Sequence, residues 1–257
     1  MSTLQVKNLT KTFGGLTANS DITMDVAPNS ITAVIGPNGA GKTTFFNMIT
    51  GVYQPTSGDI ILNDKSIARL KPHEVSKRGI ARTFQNIRLF GDVTVLENVM
   101  VGMHNHLKVG LVGTLLGLPN VRRQEKEAKK EAYRLLEYVG LEAFYNELAS
   151  NLSYGAQRRL EIARALATKP SLLLLDEPAA GMNPRETREL TALINRIRHE
   201  LDVTIVLIEH DMKLVMEISD HIVVLDHGEK IAEGKADDIR NHPKVIEAYL
   251  GKGAATL

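Results

Sequence analysis

Gly36-Pro37-Asn38-Gly39-Ala40-Gly41-Lys42-Thr43 fits the pattern G-x-x-x-x-G-K-S/T in full, and Thr44 follows it. Such a loop is suited to one kind of chemistry. Its glycines let successive backbone N–H groups turn inward onto phosphate oxygens, and a helix that starts inside it adds about half a positive charge at its N-terminus. Lys42 is then placed to neutralise the β- and γ-phosphates of a nucleoside triphosphate, and the Thr43 hydroxyl to ligate Mg²⁺. A second element is the apolar run 172–175, which ends in Asp176-Glu177 and then Pro178. Successive strand residues point to opposite sides, so Asp176 is expected to hold the metal ion through water and Glu177 to act as base toward the attacking water. A third apolar run, 203–208, leads into Glu209-His210-Asp211, at a strand end where ligands gather in open α/β sheets. The imidazole of His210 is expected to bond the γ-phosphate or the water.

These residues need a scaffold that brings several chain ends together. The runs 4–9, 20–26, 31–35 and 60–62 are short, apolar or alternating, and closed by Gly, Pro or Asn, as strands are. The runs 172–175, 203–208 and 222–225 are unbroken and apolar, the pattern of parallel strands buried on both faces, with a helix expected between each pair. The phosphate loop follows strand 31–35 and opens a helix reaching about Thr50. A further helix starts at Asn183-Pro184, an N-cap followed by proline at the first helical position, and sets Leu190, Leu193, Ile194, Ile197 and Leu201 on one stripe. Residues 122–139 form another, with Ala128, Ala132, Leu135, Leu136 and Val139 on one face and mixed charges on the other.

Composition sets the bounds. The chain has 257 residues, 31 Lys+Arg against 30 Asp+Glu for a net charge of +1, and no cysteine, which excludes disulfides, thiolate metal sites and thiol nucleophiles. A balance this even argues against a whole-surface basic field, so nucleic acid is not an expected partner. No internal repeat or secretory signal is visible. The apolar stretch 107–119 is broken by glycines and Lys108 and falls short of the roughly 20 residues of a membrane span.

With these motifs in hand, the sequence resembles the ATP-binding subunits of ABC transporters over nearly its whole length. Thr83-Phe84-Gln85 stands as the family's glutamine loop, Leu152-Ser153-Tyr154-Gly155-Ala156-Gln157 in place of its LSGGQ signature, residues 179–183 as its D-loop and His210 as its switch histidine. Phe13, in Lys11-Thr12-Phe13-Gly14-Gly15, stands where the family stacks an aromatic ring on adenine. The resemblance implies an α/β P-loop ATPase with a mostly parallel core sheet, an N-terminal antiparallel β subdomain and a helical subdomain. It also implies a single domain over 1–257, with the core and β subdomain at 1–85 and 160–257 and the helical part at 86–159. It assigns catalysis to Glu177, His210 and Gln85, and metal binding to Thr43, Gln85 and Asp176. Nucleotide binding falls to Phe13, the loop Gly36 to Thr44, and Ser153, Gly155 and Gln157.

In physical terms, Ser153 and the Gly155 backbone at a helix start make a second anion site. The family sandwiches each ATP between the phosphate loop of one subunit and the signature of another. One set of motifs therefore implies a dimer, with itself or with a homologous ATP-binding subunit. The resemblance further implies integral membrane permease subunits as partners, a periplasmic or extracellular solute-binding protein indirectly, and a peripheral place on the cytoplasmic face of the inner membrane.

A narrower likeness is to the ATPases of branched-chain amino acid importers, the LivG type. Residues 79–90, the signature stretch to Glu161, Ala179-Ala180-Gly181-Met182-Asn183-Pro184, the tail 245–251 and the insert 104–123 all carry it. ATPases for urea or other amides and for lipopolysaccharide export share much of this pattern. Two departures stand out. If the first signature glycine needs φ > 0, Tyr154 there should be strained; and Asn183 replaces the usual Asp of the D-loop. A GTPase would need an N-K-x-D guanine reader, and no Asn-Lys dipeptide occurs. An ABC-type DNA-repair ATPase would need a long coiled-coil or zinc insertion, for which the chain has neither length nor cysteines. A subunit that binds ATP without hydrolysing it is disfavoured by Glu177 and His210.

Overall fold

Two sheets and the helices between them are described by a computed structural model over residues 2–106 and 119–250. In chain order the elements are β1 (Leu4–Phe13), β2 (Leu16–Val26), β3 (Ile31–Ile35), α1 (Lys42–Ile49), β4 (Ser57–Leu62), β5 (Lys65–Ser66), α2 (Pro72–Lys77), β6 (Ile80–Arg82) and α3 (Val95–Gly102). They continue with α4 (Pro119–Val139), α5 (Tyr154–Leu166), β7 (Leu172–Asp176), α6 (Pro184–Leu201), β8 (Thr204–Ile208), α7 (Met212–Ile218), β9 (His221–Asp226), β10 (Glu229–Gly234), α8 (Ala236–Arg240) and α9 (Pro243–Leu250). The stretch 107–119 discussed above lies, but for its last residue, outside the described residues, as does part of the insert 104–123.

The first sheet has the order β2-β1-β4-β5 and is antiparallel throughout. The second has the order β10-β9-β3-β8-β7-β6, with every neighbouring pair parallel except β10 against β9. Every residue of β3, β7 and β8 is buried. Alternation explains why such strands carry no polar face. Ala33, Leu173, Leu175, Ile205 and Leu207 point to one core with α4, α5 and α6, while Val34, Leu172, Leu174, Val206 and Ile208 point to another with Phe45, Phe46 and the first sheet.

The topology gathers the chemistry. Val34 and Asp176 both pair with Ile208, so the C-terminal ends of β3, β7 and β8 lie side by side. The phosphate loop, Glu177 and His210 leave from those three ends, as the switch-point rule for open α/β sheets requires.

The expected strand 31–35 is realised residue for residue, and the helices at Asn183-Pro184 and 122–139 are found, the latter starting earlier, at Pro119. The early strands run further than their apolar cores, because the hairpin continues through cross-strand pairs such as Thr12↔Thr17. Sequence reading missed β5, β6 and β10: the first two are only two and three residues long, and the third is an edge strand whose only neighbouring apolar residues, Ile231 and Ala232, stand side by side between charged ones.

Candidate functional site

The phosphate loop is closed by backbone proximity, and two of its glycines are sterically required. Gly36 has φ 150, and a Cβ there would lie 2.0 Å from the Leu225 carbonyl oxygen. Gly41 has φ 94, and its Cβ would lie 2.6 Å from both the Ala18 carbonyl oxygen and Asn19 Nδ2. Gly41 is also the N-cap of α1, so the loop hands directly to a helix whose first N–H groups are free of helical partners. Lys42 is folded onto this loop: its Nζ donates to the Gly36 carbonyl at 2.7 Å and the Pro37 carbonyl at 2.9 Å. Burial pushes its pKa down from 10.5, opposed by the charges of Glu177 and Asp176.

A cleft of about 480 Å³ stands over the loop, and Asn38 to Thr44, Gln85, Glu177 and His210 all line it. Three side chains meet in its wall. Glu177 Oε2 accepts from Gln85 Nε2 at 2.8 Å, and its Oε1 lies 2.9 Å from His210 Nε2. Glu177 reaches them from a left-handed backbone, φ 46, with its N–H on the Ile208 carbonyl at 2.9 Å. Strand alternation therefore accounts for Asp176 only. Glu177 has left β7, and the turn, not the pleat, aims it into the cleft.

Asp176 stays behind. It is 4% exposed and is absent from the cleft lining. Arg82 Nη2 donates to its Oδ2 at 2.7 Å, while Arg82 Nη1 donates to Asn47 Oδ1 at 2.7 Å. Sequence reading passed over Arg82, although a cation at a strand end beside the glutamine loop was a usable signal. It also passed over Leu16, Thr17, Ala18 and His227, which line the cleft. Leu16, 69% exposed just past the Gly14-Gly15 turn, is the most conspicuous. Phe13 is 41% exposed, meets Tyr53 edge-on at 5.2 Å and carries Lys11 Nζ 4.8 Å from its ring centre, but does not line the cleft.

The signature lies elsewhere. Ser153 is the exposed N-cap of α5, its hydroxyl accepting from Ala156 N–H at 3.4 Å, and Gln157 Nε2 donates to the Leu152 carbonyl at 3.0 Å. Ser153, Gly155 and Gln157 are not among the residues lining the phosphate cleft. Tyr154 is the first residue of α5 and is absent from the residues of positive φ, so the strain expected there does not arise. Its ring instead lies 3.5 Å from where a Cβ on Gly181 would be. Asn183 accepts from Arg185 and Glu186 N–H groups while Glu186 accepts from Asn183 N–H, a complete capping box for α6.

The donor set suits a hard cation beside a triphosphate: a threonine hydroxyl, a glutamine carbonyl and carboxylates. Among the described residues no group of three or more His, Cys, Asp or Glu is arranged to hold a metal ion. A roomier cavity of about 740 Å³, between α4 and the core, is lined by Met103, Ala128, Leu135 and Leu166 among others and shares no residue with the cleft over the phosphate loop.

A Gly-rich loop between a buried parallel strand and a helix, with a carboxylate and a histidine converging from the next strand ends, defines a P-loop nucleoside triphosphatase. The sequence pattern of the ABC transporter family matches residues 19–180, and that of the branched-chain amino acid ATP-binding cassette transporters matches residues 229–255. The chain belongs to the ABC transporter family of ATP-binding proteins. It is 51% identical over 249 residues to the high-affinity branched-chain amino acid transport ATP-binding protein BraF of Pseudomonas aeruginosa, covering 97% of this chain and 98% of that one. The corresponding protein LivG of Escherichia coli gives the same identity and coverage. Among solved structures, a nucleotide-free ATP-binding cassette from an ABC transporter superposes with a TM-score of 0.85 at 32% identity, over 98% of this chain and 100% of that one. A dimeric bacterial ABC transporter cassette gives 0.77 at 28% identity, over 91% and 98%.

Proposed function

We propose that this chain binds and hydrolyses ATP as the motor subunit of an importer for branched-chain or related amino acids. The observation that carries the hydrolytic part is the meeting of Gln85, Glu177 and His210 in the wall of the cleft above Lys42 and Thr43. Backbone N–H groups of the loop take the phosphates, and Lys42 exchanges the Gly36 and Pro37 carbonyls for β- and γ-phosphate oxygens. Thr43 and Gln85 would hold Mg²⁺ from the cleft wall and Asp176 from behind it, and the ion would neutralise charge on the phosphates. Glu177 accepts the proton of the water that attacks the γ-phosphorus, and His210 holds that carboxylate in place. Phe13, on the hairpin beside the cleft-lining Leu16, is the adenine contact in this reading. The signature, whose Ser153, Gly155 and Gln157 do not line this cleft, serves the nucleotide of a second ATP-binding subunit.

The amino acid part rests on relatives 51% identical over nearly the full chain and on the match at 229–255. Among the described residues no helix is long and apolar enough to cross a membrane, and in this reading the solute passes through separate permease subunits. A groove of about 450 Å³ runs beside the glutamine loop, with Phe84, Arg88, Phe90, Val101 and Arg164 in its walls. Phe90, Val52 and Val101 are exposed there, and we assign this groove to the permease. Attachment is then peripheral, on the cytoplasmic face, and the external solute-binding protein is reached only through the permease.

The deciding experiment isolates the complex from its native membrane, identifies its integral subunits, and reconstitutes it in liposomes for ATP-driven uptake. Leucine, isoleucine and valine are expected to be carried. Uptake of urea or amides in their place would overturn the solute assignment and leave the ATPase standing.

A further inference from the structure

One buried acid beside the cleft has no task in this reading. Glu209, between β8 and α7, is 3% exposed. Its Oε1 accepts from Ala179 N–H at 2.8 Å, and its Oε2 accepts from His210 N–H at 3.0 Å and, more weakly, from Asp211 N–H at 3.4 Å. Its neighbours are thus main-chain donors and a like-charged Asp211. Burying a carboxylate is costly unless its hydrogen bonds are good, and here they come from two different segments of chain.

Those two segments are the ones that matter for hydrolysis. Ala179 stands two residues past Glu177, in a turn closed by Ala180 N–H on the Glu177 carbonyl at 3.2 Å. His210 is the residue whose ring meets Glu177 at 2.9 Å. The side-chain contact lies at the wet rim, where the His210 side chain is 40% exposed, and the Glu209 bonds lie at the dry base. In a low-dielectric setting such bonds hold geometry more firmly than the same bonds in water.

We propose that Glu209 is a positioning residue for ATP hydrolysis: its carboxylate clamps the main chain behind Glu177 to the main chain behind His210, fixing the separation and aim of those two side chains. A carboxylate is suited to this because both oxygens accept. A glutamine keeps the volume but can accept on one side only, and it turns an NH₂ group against a main-chain N–H on the other. The clamp also reaches past the cleft. Asp211 caps α7 through Lys213 and Leu214 N–H, and the turn held at Ala179 leads to the Asn183 cap of α6. A shift of either helix start is therefore felt where Glu177 and His210 meet.

The inference rests on the roles assigned to Glu177 and His210 above, and its test separates the two. In the full chain, Glu209→Gln is expected to lower kcat by about 10- to 100-fold, the scale of a misplaced catalytic group. KM for ATP and nucleotide affinity should stay within about twofold, since the phosphate cradle is untouched. In a His210→Ala background, single-turnover rates should fall by less than about threefold on adding Glu209→Gln, because no imidazole is left to aim. If Glu209→Gln does not fold, Glu209→Asp, with both oxygens drawn back, takes its place in the same comparison. A normal kcat, a rise in KM alone, or equal losses in both backgrounds would overturn the clamp. If His210→Ala and Glu177→Gln themselves turned over ATP normally, the site assignment would fall and the clamp with it.

Discussion

Glu177 occupies the left-handed region, φ 46, where a non-glycine residue is held only when its surroundings over-determine it. Its surroundings do so through the N–H bond to Ile208, the Gln85 amide and the His210 ring. Glu177→Gln keeps the shape of this arrangement and removes the proposed base. Phosphate release at saturating ATP should fall by roughly 10²-fold or more, with nucleotide affinity retained, since the loop and Lys42 are unchanged. Near-normal release would reassign the base. Residue types and order in the sequence singled out Lys42, Thr43, Glu177 and His210, which line one cleft, because each follows a legible apolar run. They did not disclose the Arg82 pairing with Asp176, which depends on which strands are neighbours. Glu209 adds a pH signature. Burial raises its pKa above 4.5, so its contribution to stability is full below 4.5, where both states are protonated, and is lost as pH rises through the folded-state value. The stability of the natural chain relative to Glu209→Gln should therefore decline on going from pH 4.5 upward. Urea midpoints of both proteins across that window measure it, and parallel curves would refute it.

At the scale of elements, the glutamine loop and the signature helix are stapled together inside the protein. Arg158, fully buried, donates to the Phe84 carbonyl at 2.6 Å, the Gln85 carbonyl at 2.8 Å and Glu161 Oε2 at 2.8 Å. Glu161 Oε1 in turn accepts from Phe84 and Arg88 N–H groups, each at 3.3 Å. The loop that carries Gln85 has no regular secondary structure of its own here, so α5 supplies its partners. Glu161→Ala strands a buried guanidinium and two main-chain donors, and should cost about 3–5 kcal/mol in urea unfolding. Exchanging Arg158 and Glu161 together for apolar residues should recover part of that loss in a double-mutant cycle, and a cycle with purely additive costs would dissolve the staple. No sequence period reveals this pair, because Arg158 and Glu161 sit on what would otherwise be an apolar stripe of α5 and read as solvated charges. The central strands were legible for the opposite reason: burial on both faces leaves an uninterrupted apolar run. Short or edge elements such as β6 and β10 lack that constraint and leave no such trace.

For the whole molecule, the decisive fact is that the signature at the start of α5 does not line the cleft over the phosphate loop. The cleft gathers the loop, Gln85, Glu177 and His210, while Ser153 caps an exposed helix start outside it. A triphosphate seated on Lys42 can satisfy that second start only if another ATP-binding subunit brings its own. In the proposed dimer each γ-phosphate would supply acceptors to two chains, and its loss on hydrolysis would remove the bridge. The Glu177→Gln variant, which traps the triphosphate, should therefore sediment with ATP and Mg²⁺ at about twice the 28.3 kDa of the chain, alone or mixed with its homologous second subunit, and revert on exchange for ADP. Adding Ser153→Arg to that variant should abolish association while leaving nucleotide affinity within about twofold, because the arginine occupies the helix start and not the cleft. A chain that stays single at saturating ATP in both mixtures, or a Ser153→Arg form that associates as before, would show that the signature does not complete the site.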